Sequence, residues 1–441
     1  MNTVNFQTIH RLAIPAILSG LSEPIISLVD TAIVGRLDAT AIGAVGLGSS
    51  LYLTMVWVFM SMGGAAAAIV GRQLGAGKEV RALLPQAVGL SLGIGGILLA
   101  IAFPFTEQLL QAFFKPQGTM AVEANAYISV RIFAFPFTLG TAMIFGIFKG
   151  YRNTTWAMWI ALAGGAINLL LDVLLVFGVE GLIPAMGVTG AAAASMLAQV
   201  TMFSLAVVFL VRKVGISWHW QGRHPELFRL LRMSGDMVIR TVLLSGTLVL
   251  ANRMATAEGD AALAAHSIAM QIWLFSAFFI DGYAHAGTAV MGGLLGGGHH
   301  AEIHRWGLRL CRAGVLIATA LGVCYLAGYR ITAPLFTDDA AVIQQFEAVY
   351  WLVILSQPVN GIAFIFDGVL IGLGRVVLLR NNLVLATVAG FIPVALLQRW
   401  LGLELSGVWW ALLGWMLWRS FPLLWAFRRN FRIPPAETAS R

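Results

Sequence analysis

Twelve apolar runs, each long enough to cross a bilayer and divided by short polar turns, leave this chain few ways to fold. About 20 apolar residues in a helix span the hydrocarbon core of a membrane. The runs cover residues 10–34, 43–70, 83–113, 123–148, 154–178, 187–212, 233–256, 262–294, 306–334, 345–373, 377–400 and 406–428. Lipid supplies no water to satisfy a backbone, so spanning segments are helices or a closed barrel. These runs are continuous, not alternating, and that selects helices. Lipid contact also explains the composition: 11% of the 441 residues are charged and 59% are hydrophobic, where a water-soluble domain carries about 25% charged residues. The expected fold is an all-α integral membrane protein.

The charged residues give the topology. Lys78 and Arg81, Lys149 and Arg152, Arg212 to Arg232, Arg305 to Arg312, Arg375 and Arg380, and Arg428 to Arg432 all fall on one side. The other side carries mostly acids, among them Asp38, Glu180, Glu258, Asp338 and Glu404. Basic loops stay in the cytoplasm, so an even count of twelve puts both termini there. The net charge of +8 follows from that bias, and no nucleic-acid partner is expected. The first apolar run lacks a basic leader followed by a small-residue cleavage site and reads as a retained span. Cys311 and Cys324 lie thirteen positions apart in one run, about 20 Å along a helix, too far to bridge. They read as packing residues.

The chain repeats itself. Residues 71–77 read GRQLGAG and residues 292–298 read GGLLGGG, 221 positions on. Residues 133–153 align with 355–375 at an offset of 222, matching Pro136 with Pro358, Gly146 with Gly368 and Gly150 with Gly372. Gly190 matches Gly407 at a slightly shorter offset. The expected organisation is two pseudo-symmetric six-helix lobes, 1–212 and 233–441, joined by a basic cytoplasmic linker at 213–232. Six is even, so both copies share one orientation. Two such lobes around a site are a transporter arrangement.

Acids at bilayer depth cost about 2.5–3.5 kcal/mol each on insertion scales, and they mark function. Those expected there are Glu23, Asp30, Asp172, Asp281 and Asp367, and no lysine clearly sits mid-span to neutralise them. Such groups can exchange a proton, or hold a sodium ion with neighbouring oxygens. Glu23, Ser27 and Asp30 share one helix face. Pro24 removes a backbone hydrogen bond beside them and can bend that helix. Asn168 and Asp172, four apart among leucines, form another polar stripe. Asp281 and His285, also four apart, are candidates for a pair. Asp367 stands where the first copy has Phe145. Asp236 and Arg240 read as an interfacial ion pair. His299, His300 and His304 read as a solvated basic loop, and no metal site or cofactor is expected.

VDTAIVG at 29–35, VGRQLGAG at 70–77 with its echo MGGLLGGG at 291–298, KGYRNT at 149–154 and NLLLD at 168–172 together resemble the MATE multidrug exporters, most closely their DinF-like branch. The likeness covers residues 9–428. It implies that Asp30, Asn168 and Asp172 form a cation-coupling centre. It also implies export of amphipathic, often cationic drugs in exchange for protons or sodium. NorM-like members add a C-lobe site with a glutamate in helix 7 and an aspartate in helix 10. Asp367 matches the second, but MVIRTVLLSGTLVLANRMA at 237–255 has no glutamate, so protons are favoured over sodium.

The expected mechanism is proton-driven antiport by alternating access. Protonation of Asp30 and Asp172 discharges the N-lobe, helix 1 bends at Pro24, substrate leaves, and the lobes rock inward. Met55, Trp57, Phe145 and Phe366 are candidates for a soft substrate pocket. The expected setting is a bacterial inner membrane and the expected state a monomer. A lipid-linked oligosaccharide or lipid flippase of the same superfamily is the alternative, but the intramembrane charges are mostly acidic, where a pyrophosphate cargo calls for cations. A zinc protease would need HExxH, which is absent, and no enzyme activity is expected.

Overall fold

Each apolar run forms a helix. A computed structural model describes residues 5–216 and 222–431, less the side chains of Ser22, Glu23, Pro24, Ser27, Ala39 and Arg399. Helix α1 comes in two segments, Phe6–Gly20 and Ser22–Val34. Then follow α2 (Thr40–Gly75), α3 (Leu83–Phe113), α4 (Gly118–Gly150), α5 (Thr155–Phe177) and α6 (Gly187–Val214). The second half holds α7 (Glu226–Ala257), α8 (Asp260–Gly296), α9 (His300–Ala327), α10 (Ala340–Gly372) and α11 (Val376–Gln398), and ends with α12 (Glu404–Asn430). Among the described residues, the ten helices from α2 to α11 are long and apolar enough to cross a membrane. The split α1 and the Trp- and Arg-bearing α12 complete the twelve.

Local chemistry sets several helix ends. Asp38 caps the start of α2, its carboxylate accepting from the Ala41 N–H at 2.8 Å. Asp339 caps α10 by accepting from Ala341 and Val342 at 2.8 and 3.4 Å; both fill donors that a helix start leaves open. Two starts fall earlier than the apolar runs suggest. Helix α7 begins at Glu226, inside the stretch read as linker, because ELFRLLR is a strong helix former with an acid in its first turn. Helix α9 begins at His300, so His300 and His304 are helical and not in a loop. Before α7, the chain is tied to α3: Gln86 donates to the Gly222 carbonyl at 2.6 Å and accepts from the His224 N–H at 2.9 Å.

The chain divides into two compact units. The N-unit comprises Leu18–Val70 and Lys78–Ser234; the C-unit comprises Met1–Ile17, Gly71–Gly77 and Gly235–Arg441. The break in α1 at Leu21 lies near this division. In the C-unit, the first segment of α1 lies on α8, where a Cβ at Gly282 would stand 2.1 Å from Ile17 and 2.9 Å from the Ala13 carbonyl. His10 and Tyr283 share a 2.9 Å hydrogen bond at the same crossing.

The repeated glycines do equivalent work. In the N-unit α4 crosses α2 so closely that a Cβ at Gly146 would sit 2.1 Å from the Gly63 carbonyl oxygen. In the C-unit α10 crosses α8 in the same way, with Gly368 against the Ala284 carbonyl oxygen at 2.0 Å. The two repeated motifs at the ends of α2 and α8 also meet, both within the C-unit. A Cβ at Gly75 would come within 2.2 Å of the Gly293 oxygen, and one at Gly296 within 1.9 Å of the Arg72 oxygen. The fifth residue of each motif thus faces the second residue of the other. Small residues allow backbones to approach this closely in lipid, where hydrophobicity does not hold helices together.

Alanine at Gly146 or Gly368 is therefore expected to cost about 1–3 kcal/mol by overpacking, and by similar amounts at both positions. Alanine at Gly89, which has no neighbour within 4 Å, should be neutral or mildly stabilising. Apparent unfolding temperatures of the purified variants in detergent check this; equal effects at Gly89 and Gly146 would contradict it.

Candidate functional site

The acids of the first half converge in the N-unit. Asp30, from the second segment of α1, is 1% exposed, and Asn168 and Asp172 of α5 are fully buried. The Asp172 carboxyl lies beside that of Asp30, with the Arg131 guanidinium in electrostatic reach. Five helices hold this cluster. On α4, Tyr127 donates its hydroxyl to Asp30 Oδ2 at 3.1 Å. On α6, Ser195 donates to the same oxygen at 2.5 Å. Asn168 Nδ2 donates to Ser195 Oγ at 3.4 Å, and Ser49 of α2 donates to Tyr127 Oη at 3.0 Å. The polar chain thus runs from Asn168 through Ser195 to Asp30, and from Ser49 through Tyr127 to the same oxygen.

Arg131, 3% exposed, is a mid-span cation beside the acids, an arginine where the sequence offered no lysine. It lies one turn beyond Tyr127 on α4, and its guanidinium stands 4.3 Å from the Tyr52 ring centre. Tyr52 in turn shares a 2.7 Å hydrogen bond with Thr138. The sequence signal was present: an arginine in YISVRIFAF, four residues after a tyrosine, shares a helix face with it. Ser49 and Ser195 carried no such signal, since small serines beside glycine, as in GLGSS, or after alanines, as in GAAAAS, look like packing. Glu23 and Pro24, the other candidates on α1, lie outside the described side chains.

In the C-unit the acids meet arginines. Asp367 of α10 accepts from Arg240 of α7 and, at 2.9 Å, from Arg419 of α12, both on Oδ2. The expected Asp236–Arg240 pair does not form. Asp236 binds Arg380 of α11, because side chains on neighbouring helices reach these groups more directly than a residue one turn along. Asp281 and His285 are half-buried on α8, and Asp281 lies within electrostatic reach of Arg419. His304 stacks on Phe427 with ring centres 6.0 Å apart. Among the described residues no three His, Cys, Asp or Glu side chains gather as metal ligands.

The aromatic candidates separate. Met55 and Phe145 are half-buried, and Met55 lies against a core that includes Leu51, Tyr52 and Phe135. Trp57 is 45% exposed, whereas Phe366 is fully buried with its ring 5.2 Å from that of Phe427. Phe366 is a packing residue in this structure, because its position on α10 turns it into the C-unit core.

Comparison with known proteins agrees with both the duplication and the fold. The MatE family profile matches twice, at residues 15–174 and 237–396, the same 222-residue offset as the repeat. DNA damage-inducible protein F of Escherichia coli is 28% identical over 98% of this chain and 94% of its own length. Protein DETOXIFICATION 42 of Arabidopsis thaliana is 24% identical over 95% and 90%. A probable multidrug resistance protein NorM of Bradyrhizobium diazoefficiens is 26% identical over 90% and 88%. The bent form of the Vibrio cholerae MATE transporter VcmN superposes with a TM-score of 0.85 at 20% identity, covering 97% of both chains. A MOP superfamily transporter from Pyrococcus furiosus gives 0.86 at 19% identity, covering 96% of this chain and 95% of its own. With its profile matched across both halves, this chain belongs to the MATE family, multi-pass membrane transporters that export drugs and toxic compounds.

Proposed function

We propose that this transporter is driven by protons and that Asp30 and Asp172, positioned by Asn168, carry them. The observation behind this is the pair of buried carboxyls lying side by side in the N-unit. Two carboxyls this close can share one proton among their four oxygens. Tyr127 and Ser195 both direct hydroxyls at Asp30 Oδ2, which leaves its other oxygen for the exchange. Proton uptake removes one negative charge from a cluster that faces the Arg131 guanidinium. That changes the balance of forces on α1, the helix that carries Asp30 and is already broken at Leu21. Pro24, which can give no N–H to the carbonyl of Gly20, makes the break a natural place to bend.

The cargo on this reading is a small amphipathic molecule, often a cation, which the deprotonated cluster attracts. Names of the relatives support it: a probable multidrug resistance protein and several DETOXIFICATION proteins. The basic loops favour cytoplasmic termini in a bacterial inner membrane, and a monomer suffices because the acid cluster is built within one chain.

Two outcomes are expected. In proteoliposomes, a pH gradient without sodium should drive ethidium export by the wild type. Asp30→Asn and Asp172→Asn should each reduce it at least tenfold. Export that needs a sodium gradient would overturn the choice of ion, and undiminished export by Asp30→Asn would overturn the site. Separately, Arg131→Met should destabilise the protein by about 3–5 kcal/mol, the cost of leaving buried charge unpaired. Adding Asp172→Asn should recover part of the loss. Thermal unfolding of the two single variants and the double variant measures that coupling, and strict additivity would mean that Arg131 does not serve the acids.

A further inference from the structure

The C-unit has a half-buried carboxyl of its own, Asp367, its side chain 14% exposed, but its setting differs from that of the N-unit acids. Asp367 Oδ2 accepts from two guanidiniums on two other helices. Arg419 is 3% exposed, at mid-length of α12. Its guanidinium lies 4.8 Å from the Trp415 ring centre and 5.5 Å from that of Phe364, and Nη1 donates to Met416 Sδ at 3.4 Å. Carboxylate, ring faces and thioether all favour a cation there. Arg240 approaches the same oxygen from α7, and its neighbour Asp236 is held by Arg380. Asp281 of α8 is the other acid within electrostatic reach of Arg419.

A hard metal cation needs a shell of oxygen acceptors. The side chains that meet Asp367 offer N–H donors instead. An ion arriving at this carboxyl would have to displace a guanidinium into a medium that cannot solvate it, at a cost that makes broken buried pairs strongly unfavourable.

We propose that Arg240 and Arg419 are tethered cations that occupy the place of a coupling ion on Asp367, and that they determine the ion specificity of this transporter by closing its C-unit to sodium. The inference deepens the reading of the chain as an exporter coupled through the N-unit acids, and it rests on that reading for its role in transport. The arginines set what the C-unit binds; they do not carry the proton. A chain of the same fold without them would offer Asp367 as an open carboxylate.

Binding of radioactive sodium to the purified protein tests this without reference to transport. The wild type should show no saturable sodium binding that Asp367→Asn removes. The Arg240→Gln/Arg419→Gln variant should gain saturable binding, and adding Asp367→Asn should abolish the gain. Asp367-dependent binding by the wild type, or none by a monodisperse double variant, overturns the proposal. Should the double variant fail to fold, carbodiimide labelling of the wild type decides, because the reagent modifies protonated carboxyls in apolar surroundings. Label on Asp30 or Asp172 but not on Asp367 is expected, and label on Asp367 overturns the proposal. Sodium-driven export that persists in Asp367→Asn would refute proton coupling while leaving the closed C-unit intact, so the two failures are distinguishable.

Discussion

Charge buried in lipid has to be answered from within the protein, and both units of this transporter are organised around that requirement. Water would solvate a stray carboxylate at little cost, but hydrocarbon does not. In the N-unit the answer to Asp30 and Asp172 is two hydroxyl donors and one guanidinium, which leaves the acids in the majority. In the C-unit the answer to Asp367 is two guanidiniums on one oxygen. On the proton-coupled reading, the first arrangement gains and loses a proton. The second is closed, since every change of charge within it exposes an arginine.

Such clusters need backbones that come close together, and the glycines provide this. Tyr127 and Arg131 sit on α4 about five and four turns before Gly146, where α4 meets α2. Asp367 directly precedes Gly368, where α10 meets α8. Helices held apart by larger side chains would leave gaps that short donors such as Ser195 and Ser49 could not span. Packing is therefore part of the electrostatics: a serine hydroxyl reaches Asp30 at 2.5 Å only because α6 runs close beside α1.

Much of this is visible in the sequence because a membrane chain has few ways to satisfy itself. Run length marked all twelve helices, and the glycine match of 146 with 368 marked the repeat whose crossings the structure then showed. Asp30, Asn168 and Asp172 were each legible as polar groups at bilayer depth, and the family resemblance implied their grouping. Partners across helices were not. Spacing along one helix suggested Asp236 with Arg240 and placed no arginine beside Asp367, because a four-residue spacing says which side chains share a face, not what that face meets. The borders of the units were hidden for the same reason. Residues 71–77 form the end of α2 and the turn after it, yet they lie with the C-unit, through contacts with a motif 221 positions away.

The two copies also show what the duplication preserved. At the common offset, Gly146 matches Gly368, but Asp30 matches Asn252, Arg131 matches Val353, Asn168 matches Gly390 and Asp172 matches Val394. In reverse, Asp367 matches Phe145 and Arg240 matches Leu18. Residues that let helices touch are shared, while residues that bear charge are not. Lipid accounts for the difference. A crossing glycine works wherever the same helices meet, whatever surrounds it. A buried charge works only with its whole set of partners, so a copy must carry the set or carry none of it. Each unit here holds a complete set of its own, and none of these positions holds the same charge in the other copy.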